Sequence, residues 1–180
     1  GRLTFNSAGA VAITEDSDTV LTGTSTAAGL ALTSSGTVTD AAGTSLTVTG
    51  NATITGTSIS LADNATDVLS VSGNADFEGG AGAITVAAAG AVNFGSLTFN
   101  TTAGAVSITE DSDTLLSGTS TADSLTLTSA GAVTDAAGTS VTVDNGNATI
   151  TGTSISLADN AGDVLSVSGN ADFEGGAGAI

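Results

Sequence analysis

Any chemistry in this sequence must come from carboxylates and hydroxyls. It carries eighteen Asp and Glu residues, a single basic residue, Arg2, and no His, Cys, Tyr or Trp. Twelve of the eighteen acids recur at one kind of corner, the one after the second strand of a repeating set: Glu15, Asp16, Asp18, Asp40, Asp63, Asp67, Glu110, Asp111, Asp113, Asp135, Asp159 and Asp163. Were those corners stacked into one edge, neighbouring carboxylates would lie ~5 Å apart and repel by roughly 1 kcal/mol in water, less with salt. A divalent cation would relieve that repulsion. Calcium suits ligands that are all oxygen, and the EDSD and DNATD runs supply them closely spaced. The candidate calcium ligands are therefore Glu15, Asp16, Asp18, Asp63, Asp67, Glu110, Asp111, Asp113, Asp159 and Asp163. The competing reading is a solvated acidic edge that keeps a long fibre soluble and deters lateral association. The calcium-binding nonapeptide of some β-helices is not matched, since GGAGAI carries no Asp.

Other polar residues offer weaker chemistry. Asp76 and Glu78, repeated as Asp172 and Glu174, point outward from one strand about 7 Å apart. Two carboxylates so placed could serve glycoside hydrolysis. A catalytic pair has no need to recur once per repeat, however, and no Lys, His, Tyr or Trp is present to tune a proton or stack on a sugar. Outward Thr pairs, Thr53 with Thr55, Thr126 with Thr128 and Thr149 with Thr151, resemble the rows of ice-binding solenoids. Asp76 and Glu78 interrupt them, and Thr is a common exposed strand residue in any case. Asn51, Asn64, Asn100 and Asn147 each begin an N-x-T sequon. Such matches are expected by chance in a Thr-rich chain.

The elements that hold these residues are written almost twice. NATITGTSISLADN begins at Asn51 and again at Asn147, and ITEDSD at Ile13 returns at Ile108. DAAGTS at Asp40 returns at Asp135, and GNADFEGGAGAI ends first at Ile84 and then at Ile180. The offset is 95 residues, growing to 96 after an insertion near Gly146. Residues 1–96 thus form a first long unit and 97–180 a second, incomplete one.

Within each unit, apolar residues alternate with Thr, Ser or Ala in bursts of four to six, the period of a strand with one buried face. Gly, Ser, Asn and Asp clusters separate the bursts, and no window carries a helical period. One inward residue from the first strand of each set gives Phe5, Leu32, Ile54, Phe77, Phe99, Leu127, Ile150 and Phe173, with Phe5, Phe77, Phe99 and Phe173 expected in or near one column. The spacing predicts an all-β fold: a right-handed parallel β-helix with three strands per coil, about 23 to 24 residues per coil and seven to eight coils. A lone coil cannot bury enough apolar surface to offset its ordering entropy, so stability must lie in the interfaces between coils.

Composition narrows the partners. A net charge of -17 excludes the basic footprint that nucleic acid requires, and it disfavours anionic membranes. Apolar residues make up 40% of the chain, which argues against disorder. The chain contains no apolar run long enough for a membrane helix, and its bursts are too short for the strands of an outer-membrane barrel.

Stretches such as GTVTDAAGTSLTV and NATITGTSISLAD resemble the Gly, Ala, Ser and Thr-rich repeats of large bacterial exoproteins of the filamentous haemagglutinin and autotransporter type. The resemblance implies a secreted or cell-surface β-helical shaft that projects adhesive parts, with no catalytic residues to carry over. The expectation is a non-catalytic structural segment that requires no cofactor, with calcium as the one candidate ion. It would stack on further repeats or copies of itself, head to tail. The alternative is a carbohydrate-binding or carbohydrate-active β-helix.

Overall fold

A computed structural model of the chain describes residues 1–86 and 89–180. The first unit contributes β1 (Arg2–Leu3), β2 (Ala10–Glu15), β3 (Thr19–Leu21), β4 (Thr24–Ala27), β5 (Gly29–Ser34) and β6 (Val38–Asp40). It continues with β7 (Ser45–Val48), β8 (Ala52–Thr55), β9 (Ile59–Leu61), β10 (Val68–Glu78), β11 (Ile84–Val86) and β12 (Ala91–Asn100). The second unit holds β13 (Ala105–Glu110), β14 (Thr114–Leu116), β15 (Thr119–Ala122), β16 (Ser124–Ser129) and β17 (Val133–Asp135). Then come β18 (Ser140–Val143), β19 (Ala148–Thr151), β20 (Ile155–Ser156), β21 (Val164–Val167) and β22 (Ala171–Glu174). Helix is absent among the described residues.

Every strand pairing among the described residues is parallel, and each joins a strand to its counterpart one coil away. In the first unit three faces result. The first is β2, β5, β8 and the second halves of β10 and β12, and the second is β1, β3, β6, β9 and β11. The third is β4, β7 and the first halves of β10 and β12. This is a parallel β-solenoid, consistent with the right-handed winding that parallel crossovers favour. Its longest sheet runs nine strands deep, from β1 to β22.

The coils are not of uniform length. On the first face Ile13 pairs with Leu32, Leu32 with Ile54, Ile54 with Phe77 and Phe77 with Phe99, steps of 19, 22, 23 and 22 residues. The opening coil of each unit is the short one, because Ile108 pairs with Leu127, again 19 residues on. Phe5 therefore does not stack on Leu32. The backbone N–H of Phe5 instead meets the hydroxyl of Ser25, and that of Phe99 meets Ser120 in the same way, both at 3.2 Å.

The second unit is also set one face round the prism. β2 belongs to the first face, whereas its repeat β13 pairs with β11 and β16 on the second. The long unit thus makes four coils plus one further face. The predicted column breaks at this point: Phe77 lies over Phe99 on one face, while Leu127, Ile150 and Phe173 align on another. Phe77 packs edge-on to Phe94 instead, with ring centroids 5.6 Å apart.

Alternation does the packing. Inward Leu, Ile, Val and Phe form one core cluster that runs through both units, with Phe77, Leu97 and Phe99 at most 1% exposed. Where the chain bends from the third face into the first, glycines stack. A Cβ on Gly95 would lie 2.1 Å from the carbonyl oxygen of Ser72, closer than any side chain tolerates. The same bend is reinforced by asparagine: Asn51 Oδ1 accepts the Asn74 N–H at 3.0 Å, and Asn147 Oδ1 accepts that of Asn170 at 2.9 Å.

Candidate functional site

The corner carboxylates sort into three settings. Asp40 closes β6, and the loop between β9 and β10 carries Asp63 and Asp67 one coil below; the three offer carboxylate oxygens within 4.8 Å of one another. Asp135, Asp159 and Asp163 repeat the arrangement after β17 and β20. Because the second unit is turned by one face, these two triads lie on different edges of the prism. The single acidic edge read from the sequence is therefore divided, a consequence of the short opening coil.

Backbone donors fix each triad. Asp67 Oδ1 accepts the N–H groups of Gly43 (2.7 Å) and Thr44 (3.1 Å), and its Oδ2 accepts that of Asn64 (2.9 Å), so this buried carboxylate ties one coil to the next. Asp163 makes the matching bonds to Gly138 (2.6 Å) and Asn160 (2.8 Å). Desolvation works against the Asp163 anion, but the donors at Asn160, Gly138 and Thr139 outweigh it and hold its carboxyl below the usual range. Asp40 Oδ2 accepts the Ala62 N–H and Asp135 Oδ2 that of Ala158, both at 2.9 Å. Ala62 and Ala158 adopt left-handed backbone, with φ of 58° and 56°, and so aim those N–H groups at the carboxylates.

One oxygen in each triad is left over. Asp40 Oδ1 and Asp135 Oδ1 are buried and have no hydrogen-bond partner. Burial, offset in part by the Ala62 N–H and reinforced by the charges of Asp67 and Asp63, pushes the Asp40 carboxyl up to about 6. Each triad thus gathers three carboxylates, one of which carries an unpartnered oxygen, the all-oxygen kind of donor that calcium takes. Of the ten ligands expected from sequence, the structure brings Asp63 with Asp67 and Asp159 with Asp163 into such groups. Asp40 and Asp135 complete them, although as the last residues of short strands they stand apart from the clustered DNATD-type runs.

The EDSD residues do other work. Asp18 Oδ1 accepts the Thr37 N–H and Asp113 Oδ1 that of Ala132, both at 2.8 Å, closing the short corners after β2 and after its repeat β13. Glu110 is buried: its Oε1 accepts the Phe94 N–H (2.8 Å) and its Oε2 the Thr114 hydroxyl (2.8 Å). Burial raises its carboxyl despite those donors. Asp111 Oδ2 accepts the Val92 N–H at 2.9 Å. Glu15 lies 3.5 Å from the terminal ammonium of Gly1, and Asp16 is exposed. None of these six joins a metal-compatible group among the described residues.

Asp76 sits between Thr53 and Thr98 of the neighbouring coils, with Oδ1 buried and unpartnered. Burial and the Glu78 charge push its carboxyl up to about 6, while the repeat pair Asp172 and Glu174 is exposed on the last coil. Thr126 and Thr128 stack over Thr149 and Thr151, but the row ends below at Asp172 and Glu174. Among the sequon asparagines, Asn100 is taken up by Glu78 and Thr121, and Asn64 by Asp63.

Fold and site together define a β-solenoid repeat protein whose corner carboxylates serve mainly as acceptors for backbone N–H groups. A family model described as repeats of unknown function (DUF5649) matches residues 8–69 and again 103–165, more than two thirds of the chain, and the chain belongs to that family. No curated protein and no solved structure matches it significantly.

Proposed function

We propose that the chain is a length of shaft: a non-catalytic structural segment of an extracellular or cell-surface fibre or adhesin, of the filamentous haemagglutinin and autotransporter type its sequence resembles. The observation that carries this reading is the single core cluster, which crosses the boundary between the two long units without a break. A body built from nearest-neighbour interfaces can be lengthened by adding coils, and load passes from coil to coil through ladder hydrogen bonds and shared burial. Its net charge of -17 keeps such rods soluble and apart. Its partners would be further repeats of the same kind stacked head to tail, with any cell-surface or matrix target met by parts the shaft presents. Electron microscopy of the native material, labelled with antibody to this chain, tests the reading. Labelled fibres at the cell surface are expected; label confined to compact intracellular particles would overturn it.

The two triads extend the proposal to calcium, held by Asp40, Asp63 and Asp67 and by Asp135, Asp159 and Asp163, as a brace between coils. The unpartnered Asp40 and Asp135 oxygens support it. Millimolar calcium should raise the melting temperature and a chelator reverse it; identical melting curves would leave only a solvated acidic edge.

A second reading, a carbohydrate-active β-helix, is favoured by one observation, the half-buried Asp76 carboxyl, raised to about 6, beside Glu78. Release of reducing sugar from polysaccharides, lost in Asp76→Asn, would establish it. No release from a broad panel would dismiss the hydrolytic form.

A further inference from the structure

The two units meet at a joint unlike the other coil contacts. The first half of β12 pairs with β10 above it, but on its other side carboxylates take the place of a strand. Glu110 accepts the Phe94 N–H and Asp111 the Val92 N–H, while the Asp111 N–H returns a bond to the Val92 carbonyl at 2.9 Å. The joint is where the prism turns by one face, and side-chain oxygens satisfy donors that the turned coil no longer reaches. Charged acceptors make these bonds stronger than ordinary ladder bonds.

The same motif stands at the other end of the rod. Glu15 and Asp16 repeat Glu110 and Asp111, and Leu3, Phe5, Val11 and Ile13 repeat Leu97, Phe99, Val106 and Ile108. The second set is at most 1% exposed, whereas the first is only partly buried against the core. Glu15 lies 3.5 Å from the Gly1 nitrogen, so chain entering through Gly1 would pass directly over it. Gly1 itself repeats Gly95, the residue that follows Phe94.

We propose that Glu15 and Asp16, with the apolar end face of Leu3, Phe5, Val11 and Ile13, form a socket for a preceding repeat unit joined through Gly1, and accept two backbone N–H groups of its last strand as Glu110 and Asp111 do for β12. This rests on the shaft reading. The occupant must end in the pattern of Val92–Phe94. The EDSD sequence is thus a joint that both closes a corner and turns each unit one face relative to the last. Three units would bring the faces back into phase.

The test places residues 1–94 ahead of the full chain and follows amide exchange at the added Val92 and Phe94. Both amides should be protected as in the present internal joint. Glu15→Ala with Asp16→Ala should speed their exchange about tenfold or more, yet leave the melting temperature of the unextended chain unmoved. Should the alanine pair prevent folding, Glu15→Gln with Asp16→Asn keeps acceptor oxygens and should give a smaller loss of protection. Fast exchange at both amides in the unsubstituted extended chain, or exchange indifferent to the substitutions, would overturn the proposal. An extended particle that fails to lengthen in solution scattering would instead count against the shaft reading.

Discussion

Asp40→Asn should stabilise the protein at neutral pH when no divalent cation is present. Asp40 is partly enclosed, one of its oxygens has no partner, and Asp63 and Asp67 add like charge. Its carboxyl moves from the ordinary 3.8 to about 6. A displacement of that size in a dry interior corresponds to about 3 kcal/mol, and solvent access on one side reduces it to about 1 to 2 kcal/mol. The sign follows from proton uptake. A carboxyl raised in the folded state binds its proton more readily there than in the unfolded chain, so its contribution to stability is fully present below 3.8 and is lost as pH rises through about 6. The amide keeps an oxygen for the Ala62 N–H, and its NH₂ replaces the unpartnered oxygen beside the two remaining carboxylates. In a chelator at pH 7.5 the variant should melt about 2 to 8 °C above the parent. Between pH 4 and 6 its stability should fall less steeply than the parent's, with Asp76, also raised to about 6, and the raised Glu110 contributing to the remaining slope. In millimolar calcium the advantage should shrink or reverse, since one ligand charge is gone. A variant that melts lower than the parent at pH 7.5 in chelator, with an unchanged slope, would refute the reasoning.

Three further substitutions probe the body of the rod. Phe99→Ala removes a fully buried ring at the joint and should cost about 3 to 5 kcal/mol by chemical denaturation. Phe173→Ala, on the half-covered last coil, should cost less than half of that; equal losses would mean the core does not continue through the joint. Gly95→Ala would set a methyl 2.1 Å from the Ser72 carbonyl oxygen and should cost at least about 2 kcal/mol, and a neutral result would displace that bend.

Much of the architecture is legible in the sequence because alternation and turn residues report directly on strands and corners. Val11 and Ile13, Leu30 and Leu32, and Ile54 all face inward as their spacing indicates. What alternation does not encode is which strand lies over which. Reading from Phe5 to Leu32 and from Phe99 to Leu127 makes steps of 27 and 28 residues, longer than the rest. Starting instead from Ile13 and Ile108 makes both steps 19, so the opening coil of each unit is shorter than the rest and not longer. The tight EDSD corner shortens the coil, and nothing in the hydrophobic period announces that the second unit is then displaced by one face.

The candidate site divides along the same line. Asp63 with Asp67 and Asp159 with Asp163 are visible as local clusters, whereas Asp40 and Asp135 join them only across coils. Glu110 and Asp111 look like the rest of an acidic run until the fold brings them against the N–H groups of Phe94 and Val92. Without the three-dimensional phase of the coils, a carboxylate that binds backbone cannot be told from one that faces water.

Small-angle scattering of the chain and of the chain extended by residues 1–94 tests the shaft most directly. Nine stacked strands at ~4.8 Å make a rod about 38 Å long along the coil axis, and the added unit should lengthen it by about 20 Å at an unchanged cross-section. A particle that thickens, or that separates into two independently tumbling bodies, would contradict the account.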